Sequence, residues 1–286
     1  MSKEGDHHYV PQFHLKRWEG RDEKLLQWER IRFNNKLVRS PVTTAATAYV
    51  PGLYALEEVI SDEVQQIETK VFGKIETEAS PILEKLINQG ASKLTVVERY
   101  WWTMYLNASV FRVPHVIARL KAEGAQIAER ELSKDIDEFV ALKGNAPEKT
   151  LFEWTKNHAP SRIANFGLKT LLRLLDNERA IDRIIHLQWH VRDVTAASRR
   201  LLLGDDPFCR VNDLYNPRTL IAMPLSPTRV FFGTDAGDIV RSVMTTNTPR
   251  EIVHRMNVET LRKTRRFVYG DAERSFIEKY LPLHPQ

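Results

Sequence analysis

Apolar positions change their spacing along the chain, and each change predicts a different kind of element. Residues 25–31 and 36–39 are short runs rich in strand formers, with Asn34-Asn35 between them, a pair suited to a tight hairpin turn. From Leu56 the period becomes helical, with Leu56, Val59, Ile60, Val64, Ile67 and Val71 on one stripe. Pro81 is expected to interrupt that pattern or start a second helix, which Asn88-Gln89-Gly90 ends. Thr95 and Glu98 stand at the spacing of a capping box, each side chain satisfying the other's orphan amide, and open a helix that runs to a break at Pro114. Helical spacing returns over 116–132, 150–157 and 161–187, with a polar loop at 143–148.

After residue 187 the texture is that of strands, at 188–194, 200–203, 220–223 and 229–232, separated by Gly, Asp, Asn and Pro. A last helix opens on the capping box Thr248-Pro249-Arg250-Glu251 and runs into the basic stretch 262–266. The whole predicts an α+β chain, with a mostly helical middle segment packed on a small, largely antiparallel sheet built from N- and C-terminal strands. The chain reads as a single domain, 1–286. Its parts are a motif and hairpin over 1–50, a helical segment over 54–187, and strands with the final helix over 188–286.

Composition narrows the picture. The lone cysteine, Cys209, excludes an internal disulfide framework and any multi-thiolate metal site. The opening residues lack the apolar core of a signal peptide, and no apolar run reaches the ~20 residues of a membrane span, so a cytoplasmic protein with no membrane partner is expected. A net charge of +5 and a pI near 9.2 suit a polyanion such as nucleic acid, and suit a mildly basic globular protein equally well.

The sharpest local feature is His7-His8-Tyr9-Val10-Pro11-Gln12-Phe13-His14. In an extended strand His7 and His8 point to opposite faces and cannot both bind one ion. One buried, hydrogen-bonded histidine beside a solvated one competes with metal ligation. A carboxylate pair, Asp205-Asp206, follows an apolar strand, where turn chemistry competes with a site. An acidic helix carries Glu57, Glu58, Asp62, Glu63 and Glu68, with Glu57 and Glu68 eleven residues apart and so on nearly one face. Arg112 closes the aromatic helix, where the dipole favours it. No phosphate-binding glycine loop, dinucleotide fingerprint, nucleophile elbow or His-Glu-x-x-His pair is present, which argues against the enzymes built on those motifs.

The opening resembles the signature of the domain-of-unknown-function family numbered 4238, whose members begin His-His-Tyr-Val-Pro-Gln-Phe. The Glu57 and Glu68 region is similar to that family's paired-glutamate helix, Arg112-Val113-Pro114 to its Arg-Thr-Pro, and Gly204-Asp205-Asp206-Pro207 to its Ser-Asp-Asn-Pro. Pro224-Leu225-Ser226-Pro227 and the closing Asn257 with Arg266-Phe267-Val268-Tyr269 also fit. Gly204 and Asp206 depart from the usual serine and asparagine, which leaves open which carboxylate faces a site. The resemblance implies relatives and no activity.

Three functions are weighed. The first is a metal-dependent hydrolase acting on a phosphodiester, nuclease-like, with His7, His8, Gln12, Asp205 and Asp206 as its catalytic set. In it His8, Asp205, Asp206 and Glu68 would hold Mg²⁺ or Mn²⁺, and Arg262, Lys263, Arg265, Arg266 and Arg112 would hold the nucleic acid. The second is a non-catalytic nucleic-acid or partner-binding module, of the kind used in bacterial defence, with the His7–Gln12 segment as a structural plug. The third is a metal-free nucleotide or glycosidic hydrolase using Asp205 and Glu68 as acid and base. Convergence of a histidine and two carboxylates in an open cleft favours an enzyme; two buried histidines bonded to backbone disfavour it.

Overall fold

The computed structural model describes residues 5–57, 66–134 and 136–283. Its strands are β1 (Asp6–His8), β2 (Leu25–Arg30), β3 (Leu37–Val42), β4 (Tyr49–Pro51), β5 (Trp189–Asp193), β6 (Leu203–Gly204), β7 (Cys209–Val211), β8 (Leu220–Ser226), β9 (Arg229–Gly233) and β10 (Phe267–Tyr269). Its α-helices are α1 (Gln12–Leu15), α2 (Gly73–Gln89), α3 (Val96–Phe111), α4 (Pro114–Leu132), α5 (Ile136–Leu142), α6 (Leu151–His158), α7 (Pro160–Leu175), α8 (Glu178–His186), α9 (Gly237–Arg241), α10 (Pro249–Lys263) and α11 (Arg274–Tyr280). The fold is α+β, with a helical middle and small antiparallel sheets.

The sheet shared by the two ends of the chain runs β3-β2-β10-β6, all antiparallel. A second sheet, β5-β9-β8-β7, is wholly C-terminal, and β1 pairs with β4 as a two-stranded ribbon. Indole donors tie the ends further: Trp18 Nε1 to the Leu201 carbonyl at 2.8 Å and Trp28 Nε1 to that of Gly270 at 3.0 Å. His14 is sealed in the same way, between the Tyr105 hydroxyl at 2.7 Å and the Pro224 carbonyl at 2.8 Å, and burial pushes its pKa down to about 4.

Local chemistry sets most boundaries. Both capping boxes form: Glu98 N–H donates to Thr95 Oγ1 at 3.2 Å and Thr95 N–H to Glu98 Oε2 at 2.6 Å, with the same exchange between Thr248 and Glu251. Gly90 ends α2 at φ +82°. Pro81, expected to break the pattern, sits inside an unbroken α2 that continues a π-helical turn over Ile67–Phe72, because the face carrying Ile75, Ala79, Ile82, Leu83 and Leu86 is buried around it. The expected helix over 161–187 divides into α7 and α8, where Asn177 caps the latter by accepting the Ala180 N–H at 3.1 Å. The helices α4 and α7 cross at Gly124 and Gly167, where a Cβ on Gly167 would lie 2.3 Å from the Leu120 carbonyl oxygen.

Candidate functional site: a buried polar cluster and a cationic cleft

Strand alternation along β1 and the residue after it sorts the opening motif. His7, His8 and Tyr9 are all buried. The His7 Nδ1 accepts the Tyr54 N–H at 2.8 Å, and its ring stacks on Tyr54 with centroids 5.2 Å apart. His8 faces the Tyr49 ring, holds a hydrogen bond with the Thr44 backbone, and has its pKa lowered by burial. Its Nε2 is buried with no hydrogen-bond partner. Both histidines are therefore buried and tied to backbone, the arrangement that disfavours a catalytic role for them. Gln12 opens α1, half-buried.

Arg112, at the C-cap of α3, has no exposed surface. Its Nη2 donates to the His8 carbonyl and, at 2.8 Å, to Glu76 Oε1, while its guanidinium lies 4.7 Å over the Phe72 ring. The Tyr54 hydroxyl donates to the Arg112 carbonyl. Glu68, on the π-helical turn, belongs to the same cluster: burial pushes its carboxyl up to about 7, Arg112 opposes that shift and Glu76 adds to it. Glu68 Oε2 and Arg112 Nε and Nη1 are buried without partners, as is the His8 Nε2. The expected role of Arg112 in holding nucleic acid is corrected, since a cation with no exposed surface cannot meet a polyanion. Glu57 turns elsewhere; its backbone exchanges two hydrogen bonds of 2.9 Å with Asn165. Glu58, Asp62 and Glu63 lie outside the described residues.

Tyr9 enters a different environment. It forms one wall of a cleft of about 460 Å³, with Arg32, His115, Asp206, Arg265 and Arg266 among the other lining residues. Asp205 builds the floor of that cleft. Its Oδ1 accepts the Arg265 N–H at 2.9 Å, and its Oδ2 accepts those of Arg266 at 2.6 Å and Phe267 at 3.0 Å. The carboxylate thus fixes the turn from α10 into β10, which presents both arginines. Burial pushes its pKa up to about 6 against the pull of those three amides. Asp206 Oδ1 pairs with Lys263 Nζ at 3.0 Å, and Lys263 also donates to the Phe208 carbonyl. His115, on the first turn of α4, has its pKa lowered by desolvation and by Arg265, with Asp206 opposing.

Arg266 pairs with Glu29 at 2.9 Å and lies 4.4 Å over the Phe267 ring. Arg262 pairs with Glu259 at 3.2 Å. Among the described residues Arg32 and Arg265 make no ion pair and Asp205 in the same lining makes none either, so the cleft keeps a small excess of positive charge. Arg30, Arg262, Arg265 and Arg266 also border a second hollow of about 110 Å³ beside it. A larger apolar cavity of about 580 Å³ lies between β7-β8-β9 and α10, away from Tyr9, Asp205 and Asp206.

The expected ligand set of His8, Asp205, Asp206 and Glu68 is not assembled as one. Among the described residues no group of three or more His, Cys, Asp and Glu is arranged to hold a metal ion. His8 and Glu68 belong to the inner cluster, while Asp205 spends both oxygens on amides and Asp206 faces Lys263. The same division separates Asp205 from Glu68 as an acid–base pair. Arg32, His115 and Glu76 escaped the sequence reading. His115 directly follows the Arg112-Val113-Pro114 stretch, and that adjacency was the available signal.

A family model described as "Protein of unknown function (DUF4238)" matches residues 6–274. No curated protein and no solved structure matches the chain. No described helix is long and apolar enough to cross a membrane.

Proposed function

Starting from a chain that belongs to the DUF4238 family, whose description assigns no activity, we propose that it binds a phosphodiester polyanion, nucleic acid, in the cleft beside Tyr9. The observation that carries this reading is the convergence of Arg32, Arg265 and Arg266 on one concave surface, two of them without an ion-pair partner among the described residues. Guanidinium groups bind phosphate oxygens through paired donors, and a partly desolvated cleft strengthens that attraction. In this reading Asp205 is a positioning residue for the arginine turn, and the His7–Gln12 segment is a plug that sets Tyr9 in the cleft wall. Defence is one setting for such a module.

Fluorescence anisotropy with labelled single-stranded DNA, duplex DNA and RNA tests it. Wild-type protein is expected to bind, and the paired change Arg265→Ala with Arg266→Ala to weaken binding at least tenfold in a protein of unchanged circular dichroism. Equal affinity of the variant would sink the reading.

A second reading, phosphodiester hydrolysis with Mg²⁺ or Mn²⁺, is favoured by one observation. Glu68, with its pKa near 7, shares a buried cluster with the open Nε2 of His8, and perturbed acid–base groups of this kind gather at reactive sites. Labelled DNA or RNA incubated with either metal or with EDTA decides it, beside folded His8→Ala. Metal-dependent cleavage lost in that variant supports hydrolysis, and inert wild-type protein leaves the binding module.

A further inference from the structure

The hairpin between β2 and β3 ends in Arg32-Phe33-Asn34-Asn35-Lys36. Its tip is tightly held. Ile31 N–H donates to the Lys36 carbonyl at 2.9 Å, Lys36 N–H to Asn34 Oδ1 at 3.0 Å, and Arg30 Nη1 to the Asn35 carbonyl at 3.0 Å. Asn35 takes the left-handed conformation, φ +54°, that closes the turn. On this fixed tip Phe33 is 88% exposed, the most exposed large apolar side chain among the described residues. It contributes nothing to the core, and a phenyl ring in water forgoes the stabilisation that burial would give.

Its neighbours supply the partner's chemistry. Arg32, next in the chain, lines the cleft with Arg265 and Arg266. Arg30, two residues earlier, is buried and spends its guanidinium on the Asn35, Glu278 and Leu281 carbonyls, so it braces the tip from below. Arg32 thus ties the exposed ring to the cleft, and a phosphate backbone held at Arg32 lies one residue from Phe33. We infer that Phe33 is a base-stacking finger, taking an unpaired nucleobase of a single strand whose phosphates lie in the cleft. The inference rests on the polyanion reading and names its ligand as single-stranded nucleic acid. A base in a duplex must first be unstacked at a cost of a few kcal/mol, whereas an unpaired base offers its π-face directly.

The test compares wild type, Phe33→Ala and Phe33→Trp by anisotropy. The probes are a labelled single-stranded DNA 12-mer, its duplex, and an abasic sugar–phosphate strand of equal length. Wild type is expected to favour the single strand. Phe33→Ala is expected to weaken that binding roughly five- to hundredfold, to leave the abasic strand unchanged, and to be rescued by tryptophan. The side chain lies outside the core, so the variant should keep the wild-type Tm.

If Phe33→Ala leaves single-strand affinity unchanged while Arg265→Ala abolishes binding, the finger is wrong and the polyanion reading stands. Equal loss on the abasic strand also overturns the finger. So does a Phe33-dependent dimer in sedimentation, which would make the ring a contact between copies of this chain. Wild-type protein that binds none of the three strands overturns both.

Discussion

A carboxyl group buried among other polar groups reports on its surroundings through its titration, and Glu68 is the clearest instance here. Its pKa rises from an ordinary 4.5 to about 7, first through burial, with Arg112 opposing and Glu76 adding. Between those two values the folded state holds a proton that the unfolded state has released. This group's contribution is therefore complete below pH 4.5 and is lost as pH rises through 7. Replacing it with a neutral isostere removes that dependence. Relative to wild type, Glu68→Gln is expected to gain about 1–3 kcal/mol on going from pH 5 to pH 8 in urea melts. A difference that stays constant across that range would show that Glu68 titrates normally. The sequence singled Glu68 out as a candidate metal ligand and as an acid–base partner of Asp205, but gave no sign of its burial beside Arg112 and Glu76. Its surroundings include Tyr54 and Arg112, 14 and 44 residues away in the chain. Asp205 was legible as a turn carboxylate, while its three amide partners, sixty residues on, were not.

Elements were readable where a local rule decides them. The capping boxes at Thr95 and Thr248, the Asn34-Asn35 turn and the Gly90 stop each involve residues within a few positions of one another, so pattern alone suffices. Pro81 and the division at Asn177 were misread for the opposite reason. The apolar face of α2 outweighs one missing backbone bond, and a side-chain cap restarts a helix inside a continuous apolar stripe. Short strands such as β1, β4 and β10, three residues each, carry too little pattern to be seen, yet they set the faces of His8 and Tyr9. At the α4–α7 crossing the backbones meet through Gly124 and Gly167. A methyl group there presses on backbone that cannot yield. Gly167→Ala is expected to destabilise the protein by about 1–3 kcal/mol, and an unchanged Tm would mean that the helices can separate freely at that point.

Across the whole molecule, the cleft exists because the two ends of the chain meet. The sheet β3-β2-β10-β6 joins the N-terminal hairpin to the C-terminal turn, bringing Arg32 beside Arg265 and Arg266 although more than 230 positions separate them. A sheet shared by both ends was expected, but most of the C-terminal strands read for it form the second sheet, and β10, which joins β2 to β6, was not read as a strand. The cleft was foreseen only in outline, as a meeting of the opening motif with the Asp205-Asp206 turn. Tyr9 takes the place that the histidines were expected to fill, while the His8 carbonyl accepts from Arg112 and the His8 ring meets Tyr49. The net charge of +5 gave no location; Arg262 and Lys263 are paired with Glu259 and Asp206, and among the described residues the cleft arginines without an ion pair are Arg32 and Arg265. The most direct measurement is the affinity for a single-stranded oligonucleotide as a function of salt, for wild type and Arg32→Ala. If the cleft holds phosphates, log K falls steeply with log salt for wild type, and the slope for Arg32→Ala is shallower by about one contact's worth, roughly 0.7. Identical slopes, or binding indifferent to salt, would contradict a phosphate-binding cleft.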